Sequence, residues 1–290
     1  MRRAGSAAVT YRAATDADVA AQHAVFVAAE GGLLERHAFG WPAPPPMERT
    51  TPGYRHLLRH DAERCFVAET DGRVVGFSGA FVRGQTWFLA ALFVAPDQQG
   101  MGIGRRLFDL AFSGAPERRI TITDSIQPVS NALYAAHGLL PTTPILEFAG
   151  HASVEAPAEL TASEPDTEAL AHLDRAVYGF DRAVDHVFWA TQAKPTLWLR
   201  GATAVAYSYR WPNGRIGPLA ARDGGAAALA LRAELARQPN PWLEVPGTSR
   251  SLVEAALAAG LRIVVPPGLL LLSKNVAPPT TLAISGYGLF

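Results

Sequence analysis

The sequence predicts an α/β fold built from two similar halves, and three observations lead to this prediction. Thr86–Val94 is an apolar run of strand-forming residues closed by Pro96, and a glycine-rich stretch and an amphipathic helix starting near Arg105 follow it. Arg119–Thr123 has strand character and leads into a second helix that Gly138 ends. The same order of strands and helices returns, with less regular motifs, after residue 150.

The glycine-rich stretch after the first of these strands is suited to binding a phosphate group. Gly100, Gly102 and Gly104 let main-chain N–H groups approach an anion, and the following helix adds the positive end of its dipole. A P-loop is excluded because Gly104 is followed by Arg105 and Arg106 instead of Lys and Ser or Thr. A dinucleotide fingerprint is excluded because neither Gly100 nor Gly102 starts a G-x-G-x-x-G run.

The pattern that remains is Gln-x-x-Gly-x-Gly at residues 99–104. With it the sequence resembles the GNAT superfamily of N-acetyltransferases, whose acetyl-CoA loop has this form after the fourth strand. A second family motif, Asn-x-x-Tyr-x-x-x-Gly followed by Leu or Phe, is matched by Asn131, Tyr134, Gly138 and Leu139. The resemblance implies an α/β (α+β) fold with a mixed sheet and two tandem GNAT-like domains, at residues 8–150 and 151–290, of which the second is degenerate.

The resemblance also implies a role for each site residue. Tyr134 would be the catalytic acid that protonates the leaving thiolate, and it would also contact the cofactor. The other residues that would bind acetyl-CoA are Leu92, Phe93, Val94, Gln99, Gly100, Met101, Gly102, Ile103, Gly104, Arg105 and Asn131. The main-chain groups of residues 92–94 would pair with the pantetheine arm, as an added strand does where two strands separate. The loop from residue 99 to residue 105 would cradle the pyrophosphate.

The general base is not fixed by the sequence, because the strand ending at Val94 holds no carboxylate. Four side chains elsewhere are candidates for removing the proton from the amine: Glu30, Glu35, His37 and Asp124. A chain of water molecules is an equal alternative. If the chain is not an enzyme, the same loop indicates a non-catalytic acyl-CoA-binding module that serves in sensing or assembly.

Two predictions concern the N-terminal elements before the loop. Val19–Ala29 predicts a helix that Gly31 and Gly32 interrupt. Residues 38–53 are rich in proline and therefore predict a loop, either a plain surface loop or one that covers the acceptor side.

A helix over residues 54–64 and a hairpin are expected next. The hairpin strands are Cys65–Thr70 and Arg73–Phe81, and Asp71 and Gly72 form its turn. Cys65, the only cysteine in the chain, is interpreted as a core thiol.

The second half has the same predicted order. It comprises helices over 166–178 and 182–192, strands over 196–200, 204–211 and 214–220, a helix from Gly224 to Ala236, a strand over 242–245 and a helix capped by Ser249. Arg215–Ala220 and Ile284–Gly288 resemble segments of tandem-GNAT proteins of the YitH type. The second glycine loop is altered, because Asp223 places negative charge where a pyrophosphate would lie. One cofactor site per chain is therefore expected.

Composition restricts the other function classes. The chain has 26 basic and 26 acidic side chains, so charge gives no argument for a nucleic acid or an anionic membrane as partner. No apolar run reaches the length of a membrane span and no signal peptide precedes the first strand, so a cytoplasmic protein is expected. The expected partners are acetyl-CoA and a small amine or a protein amine, and the chain is expected to be a monomer or a homodimer.

Two further motifs are incomplete, one for a metal site and one for a serine hydrolase. His56 and His60 are four residues apart on a predicted helix, but no third ligand accompanies them, so no metal site is predicted. Gly76–Ala80 misses the last glycine of a G-x-S-x-G elbow and lies in a strand, which excludes a serine hydrolase. Four aromatic residues, Trp198, Tyr207, Tyr209 and Trp211, are interpreted as core or one face of a sheet, with the lining of an acceptor pocket between the domains as the alternative.

Overall fold

A computed structural model describes residues 8–40, 43–238 and 240–290. These residues divide into two compact units. The first unit holds the described residues up to Val82 together with Trp87–Pro116, and the second holds Arg83–Thr86 and Glu117–Phe290. The predicted domain boundary at residue 150 rests on the repeat of the sequence pattern in the two halves of the chain. This boundary stays a prediction.

The first unit is a layer of strands with helices, in the predicted order. Its elements are β1 (Thr10–Ala13), α1 (Val19–Arg36), α2 (Met47–His60), β2 (Cys65–Thr70), β3 (Arg73–Arg83), β4 (Thr86–Val94) and α3 (Ile103–Phe112). The strands lie in the order β1-β2-β3-β4, and β2 is antiparallel to both β1 and β3. Asp71 and Gly72 have φ values of 51° and 70°, which confirms the predicted hairpin turn.

Two of the N-terminal predictions are wrong. Helix α1 continues through Gly31 and Gly32, and the small size of Gly32 serves packing, since a Cβ atom there would lie 3.3 Å from Cγ of Pro96. Part of the predicted loop is helical, because α2 begins at Met47 and contains Pro52. A proline removes a single helical hydrogen bond, and burial of a helix face can outweigh this loss. Three prolines of the predicted loop region, at positions 44 to 46, do lie outside regular structure, and residues 41 and 42 are outside the described residues.

The second unit contains the remaining elements. They are β5 (Arg118–Asp124), α4 (Pro128–Ala136), β6 (Leu140–Ala149), β7 (Thr161–Ser163), α5 (Thr167–Val177), α6 (Ala183–Ala190), β8 (Lys194–Arg200), β9 (Thr203–Arg210), β10 (Ile216–Ala221), α7 (Gly224–Leu235), β11 (Trp242–Pro246), α8 (Arg250–Ala258), β12 (Arg262–Ile263), β13 (Gly268–Leu272) and β14 (Leu282–Ala283). One set of strands has the order β5-β13-β6-β11, with β12 also on β6, and a second sheet has the order β14-β10-β9-β8-β7.

The two sequence copies exchange strands within this unit. Strand β13 comes from the end of the chain but lies between β5 and β6, where Leu272 is opposite both Ile120 and Leu140. In return, β6 pairs along its second half with β11 and β12, so that Phe148 lies opposite Leu243. Each copy therefore completes its sheet with a strand of the other, and burial of the leucines of β13 stabilises the exchange.

The mixed α/β architecture confirms the predicted fold class. None of the helices in the described ranges is long and apolar enough to cross a membrane. Cys65 is buried, and burial is the largest cause that raises the pKa of its thiol above the ordinary value, so the core interpretation agrees with its position.

Candidate functional site

The glycine loop begins where strand β4 ends, and hydrogen bonds fix its first residues. The N–H of Ala95 donates to the carbonyl of Val75 on β3 at 2.8 Å. The side-chain Nε2 of Gln99 donates to the carbonyl of Val94 at 2.9 Å, which closes the turn from the strand into the loop. The side chain of Gln99 therefore holds the loop in shape, a role that the sequence analysis did not predict.

The loop itself has the backbone that only glycine adopts without strain. Gly100 has a φ of 80° and Gly102 a φ of 81°, both in the left-handed region. A Cβ atom at either position would meet no atom within 4 Å, so the space above the loop is open. This combination leaves room for a ligand to contact the backbone directly.

The main-chain donors of the loop have no partners. The N–H groups of residues 100 through 105 make no hydrogen bond within the described ranges, and the first one satisfied is that of Arg106, which donates to Gly102 at 3.1 Å. The first N–H groups of a helix carry partial positive charge and need an acceptor. A run of unpaired donors facing open space is the geometry that binds a pyrophosphate.

Close packing holds helix α3 behind the loop. Ile103 and Leu107 are buried against Ala68 and Val75. A Cβ atom at Gly76 would lie 3.0 Å from Cδ1 of Leu107 and 3.1 Å from the carbonyl oxygen of Phe93, so the glycine lets helix α3 pack closely on β3. The helix N-terminus is consequently held in a fixed position relative to β4.

The three predicted residues of β4 alternate between its two faces. Leu92 and Val94 pack in the cluster beneath α3. Phe93 points to the other face, where its ring lies 5.1 Å from that of Phe26 on α1 and 5.5 Å from that of Phe77 on β3. Met101 and Arg105 are exposed at the loop, where long side chains remain accessible to a ligand.

The two other predicted residues, Asn131 and Tyr134, lie on helix α4 of the second unit. The Nδ2 of Asn131 donates to the carbonyl oxygens of Asp124 at 3.2 Å and Gln127 at 2.8 Å. Its Oδ1 is buried without a hydrogen-bond partner in the part of the chain that the structure describes. A buried acceptor without a partner is costly, and an amide N–H of a pantetheine arm is the kind of donor that satisfies it.

Tyr134 is enclosed by its surroundings. Burial raises the pKa of its phenol above the ordinary value, a hydrogen bond with Ser130 acts in the opposite direction, and the charge of Asp124 adds to the rise. The hydroxyl therefore keeps its proton throughout the physiological pH range. A protonated phenol can donate a hydrogen bond to a developing thiolate.

The four candidates for the general base differ in environment. Glu35 and His37 are exposed at the end of α1, and Glu30 is half-buried. Asp124, at the end of β5, is largely enclosed, and burial raises the pKa of its carboxyl above the ordinary value. The charge of Asp124 acts on the hydroxyl of Tyr134. No group of three or more potential metal ligands occurs in the described ranges.

The corresponding loop of the second half is closed. Oδ1 of Asp223 accepts a hydrogen bond from the N–H of Ala226 at 2.7 Å, so the side chain takes the place of an anion at the start of α7. A Cβ atom at Gly224 would lie 2.2 Å from Oγ of Ser251, which leaves no open space. Gly224 therefore allows helices α7 and α8 to pack closely.

The space between strands β10 and β11 of the second half is also filled. These strands are parallel neighbours where they start, at Arg215 and Trp242. Farther along, β14 pairs with β10, and the N–H of Ile284 donates to the carbonyl of Glu244 on β11 at 2.9 Å. A segment of the chain itself thus adds as a strand at the place where an extended ligand would pair.

A buried polar cluster in the second half was not identified from the sequence. Arg182 is fully buried and makes two hydrogen bonds to the carboxylate of Asp174, at 3.1 and 3.3 Å. Nε2 of His186 lies 2.9 Å from the same carboxylate, and its Nδ1 lies 2.8 Å from the hydroxyl of Tyr209. The hydroxyl of Tyr207 donates to Asp174 at 2.5 Å. The tyrosines predicted as one face of a sheet therefore belong to a charged network, which periodicity alone does not reveal.

This cluster makes stability depend on acid pH. Burial alone would raise the pKa of Asp174, but the charge of Arg182 and the hydrogen bonds from His186 and Arg182 outweigh burial and lower the pKa to about 2. Because the pKa is lower in the folded state, its stabilisation is complete above about pH 4 and is lost as the pH falls towards 2. We expect this group to contribute about 2 kcal/mol. Urea unfolding at pH 6, 4 and 2.5 measures the loss. In the Asp174→Asn variant this part of the acid dependence should be absent, and an unchanged acid slope would contradict the assignment.

Comparison with known proteins agrees with this geometry. Residues 33–139 match the model of the Acetyltransferase (GNAT) family. No curated protein matches the sequence. The YitH-type relationship in particular stays a prediction.

Three solved structures share the fold over nearly the whole chain. A candidate acetyltransferase from Pyrococcus horikoshii has 16% identity and a TM-score of 0.79, with 97% of this chain and 96% of that chain covered. A GCN5-related N-acetyltransferase from Sphaerobacter thermophilus has 16% identity and a TM-score of 0.63, with coverage of 94% and 98%. A tandem GNAT protein from the clavulanic acid biosynthesis pathway has 14% identity and a TM-score of 0.58, with coverage of 93% and 100%. At these identities the likeness shows a shared fold, that of two GNAT-like domains in one chain. Within it, residues 33–139 are the part of the chain that is similar to the acetyltransferase (GNAT) family.

Proposed function

We propose that the protein is an acetyl-CoA-dependent N-acetyltransferase that acts on a primary amine of a small molecule or a protein. The observation that carries this proposal is the run of unpaired N–H groups at residues 100–105, together with the open space above Gly100 and Gly102 just before α3. The match to the GNAT family supports the choice of acetyl-CoA among phosphorylated ligands.

The residues present fit acetyl-CoA. The glycine loop offers donors to the pyrophosphate, and Arg105 adds a positive charge beside it. The buried Oδ1 of Asn131 offers an acceptor for an amide of the pantetheine arm. When bound, acetyl-CoA supplies the thioester whose acetyl group passes to the amine as the coenzyme thiol is released.

The reaction moves two protons: the attacking amine loses one, and the leaving sulfur takes one up. We assign Tyr134 as the hydrogen-bond donor to the leaving sulfur, because burial keeps its phenol protonated. We assign Asp124 as the group that takes the proton of the attacking amine, because a carboxyl with a raised pKa is a stronger base than an ordinary one. The protein holds both reactants in the orientation that the reaction needs, and this supplies most of the remaining rate enhancement.

Calorimetric titration with acetyl-CoA, followed by a thiol-release assay with a panel of primary amines, tests the proposal. We expect one acetyl-CoA per chain, because Asp223 and β14 fill the equivalent places of the second half. We also expect thiol release that depends on an amine. Tight binding without thiol release for any amine would identify an acyl-CoA-binding module instead, and absence of binding would reject both functions.

Replacing Asp124 with asparagine is expected to lower kcat/KM on the order of 10-fold at neutral pH, since water takes over part of the role of the base. The acid limb of the pH profile should be lost at the same time. Glu35→Gln is the matched control, because this exposed carboxylate was also a candidate base. An unchanged profile in Asp124→Asn would remove Asp124 from the mechanism.

A further inference from the structure

A cavity of about 470 Å³ lies in the second half, where strand β8 begins and strand β9 ends. Its wall includes two basic side chains, Lys194 and Arg210, the amide side chains of Gln192 and Gln238, and the indole of Trp211. The volume lies within the range of about 300–1,000 Å³ that small-molecule sites occupy. None of these residues belongs to the acetyl-transfer site proposed above.

The two basic residues form an unfavourable pair in the absence of an anion. Lys194 and Arg210 are directly opposite one another on the antiparallel strands β8 and β9, so both side chains lie on the same face. Neither makes a salt bridge within the described ranges. Like charges in this arrangement destabilise a sheet. A ligand with negative charge would remove the repulsion.

The donors around this pair are still available. Arg210 uses one N–H in a long contact of 3.5 Å to the carbonyl of Arg237, at the end of helix α7. A guanidinium has five N–H donors, so most of them stay free. Nε2 of Gln192 is buried and has no acceptor in the part of the chain that the structure describes. Buried donors of this kind need an acceptor.

The indole of Trp211 contributes to the wall of the cavity in a different way. The Nε1 of Trp211 already donates to the carbonyl of Gly217, so its N–H is not available to a ligand. The ring therefore contributes an apolar surface beside the charged groups. The cavity combines an oxyanion-binding end with a surface for a small organic group.

We propose that this cavity binds a small molecule that carries a phosphate group. Two neighbouring positive charges, on Lys194 and Arg210, match the charge of a phosphate monoester, whereas a single carboxylate leaves one of them without a counter-charge. Side chains around the cavity offer N–H donors, which phosphate oxygens accept. The proposal does not depend on acetyl transfer.

Calorimetric titration of the full chain at low ionic strength tests this proposal with three probes: inorganic phosphate, phenyl phosphate and benzoate. We expect both phosphates to bind and benzoate to bind at least about tenfold more weakly, since it lacks the second charge. Equal binding of benzoate and phenyl phosphate would overturn the assignment of a phosphate site. Failure of both phosphates to bind would overturn it as well.

Variants locate the binding in this cavity. Lys194→Met and Arg210→Met are each expected to weaken phosphate binding by about tenfold or more. Arg200→Met is the matched control, because Arg200 is an exposed arginine at the opposite end of β8. In phosphate-free buffer, Lys194→Met should melt no earlier than wild type, because the substitution removes a like-charge pair. Phosphate binding that persists unchanged in both variants would place the ion elsewhere and reject the proposal.

Discussion

Replacing Gly102 with valine is expected to weaken acetyl-CoA binding by about 100-fold or more, which corresponds to the loss of one or two charge-assisted hydrogen bonds. The residue has a φ of 81°, a conformation that strains any side chain and especially a β-branched one. The added side chain would also enter the open space above the loop, where the pyrophosphate is proposed to bind. Calorimetric titration of the variant measures the loss.

A matched control separates ligand contact from backbone strain. Gly72 has a φ of 70° and open space around it, but it lies in the hairpin turn between β2 and β3. The Gly72→Val variant should therefore lose a similar amount of stability and keep its affinity for acetyl-CoA. If both variants lose affinity equally, the effect comes from the fold, and the loop has no special role in binding.

Replacing Tyr134 with phenylalanine is expected to lower kcat by about 10²- to 10³-fold while the Kd of acetyl-CoA changes little. The substitution removes only the hydroxyl group. Burial keeps this hydroxyl protonated, a hydrogen bond joins it to Ser130, and the charge of Asp124 acts on it. Packing of the ring on α4 is unchanged. Steady-state kinetics with the best amine of the panel, together with calorimetric titration, separate the two quantities.

The control for this variant is Tyr178→Phe, which removes the hydroxyl of another fully enclosed tyrosine in the second unit. Its kcat should match that of wild type. Unchanged kcat in Tyr134→Phe would show that another group protonates the thiolate.

Local sequence was sufficient for much of the site. The order of strand, glycine loop and helix around residues 86–112 agrees with the prediction, and so does the hairpin turn at Asp71 and Gly72. These features depend on a residue's own backbone preferences and on neighbours along the chain. Sequence also indicated that Asp223 disrupts the second loop, and its side chain does cap α7.

Predictions failed where packing between distant segments decides the outcome. Helix α1 passes through Gly31 and Gly32, and α2 contains Pro52, because contacts of their buried faces outweigh the weak local preferences. The charged cluster around Arg182 was missed because its members lie on separate elements, Asp174 on α5, His186 on α6 and the two tyrosines on β9. No spacing in the sequence indicates that they meet.

The order of strand, glycine loop and helix around residues 86–112 follows from the sequence alone, and so does the loss of that loop in the second half. The tertiary structure, in contrast, places β13 between β5 and β6 and lets β14 fill the space beside β10. It also decided the burial that sets the pKa of Tyr134 and of Asp124. The division has a physical reason. Turns and helix starts follow from short-range backbone energies, whereas strand pairing and desolvation depend on contacts between residues far apart in the chain.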